Sequence, residues 1–374
     1  MKTIKGSSTQ KNNSSGIVFD KQLNDSLSVF FGDMLRAALT SPSTAKFYIK
    51  TLGWQRKAAS KRTQLEEEGL HVPPIMIFSI TNRCNLLCKG CFNNALRKPT
   101  AEELPEKQLR QIIREADELG VSFMVISGGE PLVRPEILNI VEENQHIMFI
   151  MFTNGTLLDE TLLKRIKKTR NLVPLISLEG HRAETDERRG AGVYEHLSGT
   201  FGAMRKQHIF WGTSITVTCN NFQVVTDTSF VGELYGQGCK LFIFDEYTPV
   251  APGTESWVVT SQQREEMRRI KENLRTQYKA VFLNLPGDEE DVGGCLAAGR
   301  GFVHVNSPGN VEPCPFIPYS DTNLTKTSLR GALGSDLLRK IREKHPQLPE
   351  TSGGCALWSQ REWLKTVTEQ ERGA

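Results

Sequence analysis

Long apolar runs are missing from this 374-residue sequence. No stretch approaches the roughly 18 consecutive apolar residues that a bilayer-spanning helix requires, so no transmembrane segment is expected. The opening stretch, Met1 to Gly16, is polar and has no apolar h-region of the kind a secretory signal carries, and cytoplasmic residence is the expectation. Charge of one sign is also scarce. With 46 Lys+Arg against 43 Asp+Glu the formal net charge is +3, too small and too well mixed to imply a nucleic-acid partner from composition. Apolar and charged fractions of 38% and 24% are ordinary for a globular chain, which at this length can bury one large core plus smaller appendages. Cysteine is not scarce: there are eight. In a reducing compartment thiols serve as metal ligands or small buried hydrophobes more readily than as disulfides, so their spacing carries the information.

Along the chain, residues 1–18 are rich in Lys, Ser, Asn and Gly without periodic apolar positions, and are expected to be an unstructured leader. Residues 19–72 read as a helical region. Leu27, Phe30, Phe31, Met34, Leu35 and Ala38 recur at helical spacing before Thr40-Ser41-Pro42, and a second helix is expected from about Thr44 to Glu68. Residues 1–70 carry 11 Lys+Arg and 6 Asp+Glu, so this is the basic part of the chain. Its charge, with Phe30, Phe31, Phe47 and Trp54, suits an anionic lipid surface or a partner helix; helices packed on the main domain with a solvated basic face are the plainer reading.

Pro73-Pro74 ends that region, and short apolar strands then alternate with amphipathic helices. Strands are expected at 75–80, 121–127, 147–153, 172–179, 209–218 and 241–248, with helices at 105–119, 135–144, 160–168, 193–206, 225–235 and 262–278. Six such βα units over 73–285 predict an α/β fold, a parallel sheet with helices on one side curved into a partial (β/α)6 TIM-like barrel. Chemistry should then sit just after the strands. Beyond Leu285 the rhythm is lost and the last three cysteines appear, which predicts a small C-terminal domain over 286–374.

Directly after the first strand, Cys84, Cys88 and Cys91 put three thiols within eight residues. Three thiolates hold three irons of a cubane and leave the fourth iron open, whereas closed structural zinc sites use four Cys/His ligands; no fourth Cys or His stands between Cys91 and His146. The C-x3-C-x2-C spacing in this βα position resembles the signature of the radical S-adenosylmethionine superfamily. That resemblance implies a [4Fe-4S] cluster whose open iron chelates S-adenosylmethionine, and an electron that cleaves it to methionine and a 5′-deoxyadenosyl radical. The family often has an aromatic residue before the third cysteine, where this chain has Gly90; Phe92 is the candidate substitute for its adenine contact.

Motifs on later strands are similar to family elements. Gly128-Gly129-Glu130 follows the second strand, where the resemblance implies glycine carbonyls near the methionine ammonium and the Glu130 carboxylate complementing its charge. Thr153-Asn154-Gly155 ends the third strand and matches another recurrent element. After the fourth, the resemblance assigns Ser177 and Arg189, or Arg188 in its place, to the methionine carboxylate and ribose; Asn221 falls near the ribose, and Tyr247 or Pro249 near the adenine. Gly190-Ala191-Gly192 is not a dinucleotide fingerprint, since Glu195 stands where its third glycine belongs and no strand immediately precedes it. Cys219, at a strand end, is a candidate catalytic hydrogen-atom donor, the alternative being a buried thiol. Cys239 is read as packing.

Cys295, Cys314 and Cys355 resemble the twitch domain, the shortened SPASM form, which holds an auxiliary [4Fe-4S] cluster. Val303–Asn306 and Val311-Glu312 would flank its Pro308-Gly309 hairpin turn, and His304, a carboxylate or the substrate is the candidate fourth ligand. A structural zinc is the alternative for this trio. Together these features imply an oxidoreductase-type radical enzyme that abstracts hydrogen from a peptide, protein or cofactor-precursor substrate and draws electrons from a flavodoxin- or ferredoxin-type donor. A lipid or membrane-associated substrate, reached by peripheral contact, is one alternative. A non-catalytic iron-sulfur carrier or regulator is the other, and RNA binding has only the basic N-terminus in its favour.

Overall fold

The computed structural model describes residues 9–38, 42–97, 102–348 and 355–372. Two long helices lead, α1 (Thr9–Ala38) and α2 (Pro42–Glu67). The strands are β1 (Ile75–Thr81), β2 (Phe123–Gly128), β3 (Met148–Thr153), β4 (Leu172–Leu178), β5 (Trp211–Val217), β6 (Cys239–Glu246) and β7 (Val281–Leu285). Between them run α3 (Phe92–Leu96), α4 (Glu106–Leu119), α5 (Ile137–Glu143), α6 (Glu160–Lys168), α7 (Arg182–Arg189), α8 (Val193–Gln207), α9 (Phe222–Val225), α10 (Thr228–Gly236) and α11 (Ser261–Gln277). The C-terminal part holds β8 (Phe302–Val305), β9 (Asn310–Glu312), β10 (Thr322–Asn323), α12 (Leu329–Leu333), α13 (Asp336–Lys344), α14 (Ala356–Ser359) and α15 (Arg361–Arg372).

β1 to β7 are parallel neighbours in chain order, the arrangement the βα rhythm predicts. Their residues are apolar almost throughout because both faces are covered. Successive side chains point to opposite faces. Met76, Phe78, Ile80, Met124 and Ile126 pack under the outer helices, whereas Phe123, Met148, Ile150, Val173, Leu175, Leu241, Ile243 and Val281 point into the barrel. Those inner residues share a core with Phe31, Met34, Phe47 and Tyr48 of α1 and α2, and the Phe31 ring stacks on Phe123 at 4.8 Å. The N-terminal helices therefore close the barrel at the end where the strands start.

Phe31 and Phe47 are buried against the barrel, Phe30 is half-buried on Phe31 and Phe123, and Trp54 packs on Phe47 and His146, which is the packing that the plainer reading of this region describes. Residues 9–18, expected to be unstructured, form the first turns of α1; the polar segment extends a helix whose later turns are held by packing. Residues 1–8 lie outside the described part.

Two further differences concern the C-terminal half. A seventh strand, β7, follows the sixth βα unit. The hairpin β8–β9 does form around Pro308-Gly309, but it does not stand apart: β8 pairs in parallel with β1, giving the sheet order β10-β9-β8-β1-β2-β3-β4-β5-β6-β7. An incomplete barrel leaves β1 an unpaired edge, and β8 satisfies its backbone groups. Among the described residues no helix is long and apolar enough to cross a membrane.

Candidate functional site

β1 delivers the chain to the open end of the barrel at Thr81, and the loop carrying Cys84, Cys88 and Cys91 begins there. Gly129 N–H donates to Thr81 O and Glu130 N–H to Arg83 O, both at 2.8 Å, so the end of β2 clamps the start of the loop. The approach is so close that a Cβ at Gly128 would lie 2.2 Å from Thr81 O, and one at Gly129 2.1 Å from Arg83 O. The glycine pair is thus required by the cysteine loop itself. Asn93 Nδ2 donates to Asn82 O at 3.0 Å, Lys89 N–H to Arg188 O at 2.9 Å and Leu86 N–H to the Cys84 sulfur at 3.5 Å. All three thiols are partly exposed. Burial pushes the Cys84 and Cys88 thiols up, and Arg189 and Arg188 pull Cys88 back down.

Glu130 does not present its carboxylate to the site. It is fully buried, accepts from Leu132 N at 3.0 Å, Thr153 Oγ1 at 2.8 Å and Asn154 N at 2.7 Å, and so ties β2 to the end of β3. All three of these partners are protein groups, where the resemblance implies the methionine ammonium. Asn154 reaches the loop directly: Nδ2 donates to Asn85 Oδ1 at 2.8 Å and lies 3.8 Å from the Cys84 sulfur.

Glu179, ending β4, collects two guanidinium groups. Arg188 and Arg189 both donate to it, Arg189 Nη2 at 2.7 Å, and Arg189 Nη1 lies 4.0 Å from the Cys88 sulfur. Burial pushes Glu179 up, but Arg189 and Arg188 outweigh it and hold the carboxyl below its usual range. Arg189, expected to bind a methionine carboxylate, therefore already has a buried carboxylate partner and stands beside the cysteine loop. Asn221 is also committed: its Oδ1 accepts from Thr218 N at 2.7 Å, and its Nδ2 donates to Glu179 O at 2.8 Å and Thr216 O at 2.9 Å. It staples β5 to β4, with both ends of the amide engaged by backbone.

Ser177 faces the barrel interior, paired across the sheet with Ser214. The Ser214 hydroxyl donates to Asp245 Oδ2 at 2.5 Å, and enclosure pushes the Asp245 carboxyl up to about 7. From the sequence Asp245 and Glu179 have a place at strand ends but no role, and Trp257 has neither; alternation along β6 was the available signal for Asp245. Gly90 has φ +66°, and a Cβ there would meet Tyr247 Oη at 2.6 Å and the Trp257 ring at 2.8 Å. The aromatic wall beside the cysteine loop is Tyr247–Trp257, with ring centroids 5.3 Å apart. Phe92 instead packs edge-on against Phe316 and is no substitute. Cys219 turns its thiol to Ser256 O at 2.9 Å, and Cys239 is buried in the outer core as expected of a packing residue.

The last three cysteines come together although β8, β9, β10, α12 and α13 separate them in sequence: Cys314 feels both Cys355 and Cys295, and Cys295 feels Cys355. Burial first pushes both thiols well up, followed by Glu289 and Cys355 at Cys295 and by Cys355 and Cys295 at Cys314. Arg300 donates to Gly294 O at 2.8 Å and Cys295 O at 3.0 Å, placing a cation beside the trio. His304 is elsewhere. Its Nδ1 bonds Glu312 Oε2 and its Nε2 bonds Ser79 Oγ, each at 2.8 Å, inside the barrel wall, so it is not the fourth ligand. The imidazole near the trio is His345.

Among the described residues no three His, Cys, Asp or Glu side chains converge on one metal-ion position. A zinc site gathers four donors at about 2.0–2.3 Å around a single point, whereas a cubane's thiolates each take a different iron and stand further apart.

The family model for the radical SAM superfamily matches residues 78–219, the span from β1 to the end of β5. The AdoMet-dependent heme synthase of Methanosarcina barkeri is 25% identical over 314 residues, covering 77% of this chain and 88% of that protein. The mycofactocin maturase of Mycobacterium tuberculosis is 25% identical over 308 residues, covering 77% and 76%. Among solved structures, Streptococcus suis SuiB bound to S-adenosylmethionine superposes with a TM-score of 0.62 at 19% identity, covering 75% of this chain and 71% of that one. At that identity the likeness speaks for the fold.

Proposed function

We propose that this chain is an enzyme of the radical S-adenosylmethionine superfamily that works with a [4Fe-4S] cluster and S-adenosylmethionine, that Cys84, Cys88 and Cys91 hold that cluster, and that the substrate is a peptide, a protein or a cofactor precursor. The cluster, when bound, supplies an open iron for the methionine amino and carboxylate groups and the electron that releases a 5′-deoxyadenosyl radical. Everything else falls to the chain's own side chains. Arg189 and Arg188, only half offset by the single Glu179 carboxylate, sit beside Cys88 and favour its thiolate form. Glu130, Asn154 and Asn221 lock three strand ends together, which keeps the loop in place while charge changes on it. Tyr247 and Trp257 offer the apolar surface against which an adenine stacks. Ser177, Ser214 and Asp245 form a polar layer inside the barrel, below the loop, suited to hold a substrate by hydrogen bonds.

The observation that carries the reading is the three-thiol loop at the open mouth of a barrel whose other end is plugged by Phe31 and Phe47. Substrate must enter on the side where the radical forms. A peptide is supported by the mycofactocin maturase and by SuiB, solved with its precursor peptide SuiA; a cofactor precursor is supported by the heme synthase. The lipid alternative loses its motivation with the burial of the N-terminal aromatics. We further assign Cys295, Cys314 and Cys355 to an auxiliary [4Fe-4S] cluster, with Arg300 offsetting its charge, and a flavodoxin- or ferredoxin-type protein to electron supply.

The test is anaerobic reconstitution with iron and sulfide, reduction with dithionite and measurement of 5′-deoxyadenosine. Cys84→Ala abolishes its formation if the reading holds; a fully loaded wild-type cubane that leaves S-adenosylmethionine intact refutes it. Carbon-deuterated candidate peptides then report the substrate class by transferring label into 5′-deoxyadenosine.

A further inference from the structure

Resting on the auxiliary-cluster assignment, three thiolates leave one iron without a protein ligand, and the surroundings of Cys295 offer few groups to fill it. Arg300 is a cation and its guanidinium is spent on the carbonyls of Val292, Gly294 and Cys295. Glu289 lies close to Cys295, but its carboxylate accepts from Leu296 N–H. His304 is held between Glu312 and Ser79.

His345 differs from all of these. It follows α13, and its ring lies against the residue before Cys295: a Cβ placed on Gly294 would be 3.6 Å from His345 Nε2. His345 Nε2 is itself enclosed by protein and has no hydrogen-bond partner among the described residues, although the ring as a whole is half-buried. A neutral imidazole with one unpaired nitrogen can give that nitrogen's lone pair to a metal, the usual way in which a histidine ligates. A buried polar atom left bare is destabilising, and a bond to iron removes that penalty.

We propose that His345 Nε2 is the fourth ligand of the cluster held by Cys295, Cys314 and Cys355. A centre closed by four protein ligands exchanges electrons and does not bind substrate, so the substrate meets only the cluster of the first loop.

The experiment uses the full-length chain with the first site removed, Cys84→Ala/Cys88→Ala/Cys91→Ala, reconstituted anaerobically. About four irons and four sulfides per chain establish the auxiliary cluster; none means that the assignment beneath the proposal fails. With the cluster present, pulsed EPR of its reduced form is expected to show the strong 14N coupling of a directly bound imidazole. His345→Ala loses that coupling and admits added cyanide at the vacated iron, while His345→Cys restores a cyanide-resistant cluster without the coupling. Glu289→Gln leaves the coupling unchanged. A loaded cluster with no strong 14N coupling, or with one that persists in both His345 variants, overturns the proposal.

Discussion

Arg97 grips Glu312 through two N–H···O bonds of 2.7 Å each, and both side chains are almost completely buried. Arg97 closes the short helix that begins one residue after Cys91, and Glu312 lies two residues before Cys314; the same guanidinium also donates to Pro315 O at 3.0 Å. One ion pair thus fastens the first cysteine loop to the hairpin that carries the second. Burial pushes Glu312 up, but His304 and Arg97 outweigh it and hold its carboxyl below the usual range. Removing one partner strands a buried charge, a loss of about 3–5 kcal/mol. Arg97→Met is expected to lose that much in denaturant unfolding at pH 7. Because the folded pKa is depressed, the wild-type contribution is complete above the unfolded Glu value of about 4.3 and fades as pH falls further, so the gap between wild type and variant narrows in acid. An unfolding midpoint insensitive to the substitution contradicts this.

Gly129→Ala should disable the first site without unfolding the barrel. Its Cβ would meet the Arg83 carbonyl at 2.1 Å, and backbone on both sides leaves only displacement of the loop. Iron bound after reconstitution is expected to fall by the share of the first cluster while the far-ultraviolet circular dichroism stays native. Full iron loading in this variant would show that the clamp is not needed.

Glu130→Gln separates a structural carboxylate from a ligand-binding one. Three donors converge on Glu130, and an amide supplies one acceptor oxygen where two are used. The expected outcome is a loss of stability of about 1–3 kcal/mol with the S-adenosylmethionine affinity of the folded, loaded protein largely kept. Intact stability with collapsed affinity would restore a direct role at the methionine ammonium.

Asp245 has the opposite sign from Glu312. Its folded pKa is raised to about 7, so the native state binds the proton more tightly than the unfolded chain does, and stability falls as pH rises from the unfolded Asp value of about 3.9 towards 7. Asp245→Asn removes that penalty. The variant should gain stability relative to wild type at pH 8 and little or none at pH 4, read as paired unfolding curves; an equal difference at both pH values would exclude titration of Asp245 as the cause.

Much of this was legible in the sequence. Alternation of short apolar runs with amphipathic helices located six strands to within a few residues, because a strand covered on both faces has little freedom of composition. The Cys84, Cys88 and Cys91 loop was legible for the same reason: its position after β1 follows from local order alone. Partners were not. Glu130, Asn221 and Arg189 sit where motif spacing puts them, yet their side chains are committed to Asn154 N, Glu179 O and Glu179 respectively, and spacing fixes a face without naming what lies across it. His304 looked available beside Cys314 until β8 was seen to pair with β1, which turns it into the barrel wall against Ser79. Phe31 and Phe47 show the same limit, since helical periodicity gives an apolar stripe but not the barrel end it plugs.

The central claim is that Cys84, Cys88 and Cys91 hold a cubane with one iron free for S-adenosylmethionine. EPR of the anaerobically purified, dithionite-reduced protein, recorded before and after adding S-adenosylmethionine, tests it most directly. The account predicts a [4Fe-4S]+ signal that changes shape on addition, with 5′-deoxyadenosine appearing on warming, and loss of both responses in Cys88→Ala. Zinc in place of iron on that loop, or a reduced cubane signal indifferent to S-adenosylmethionine, would contradict it.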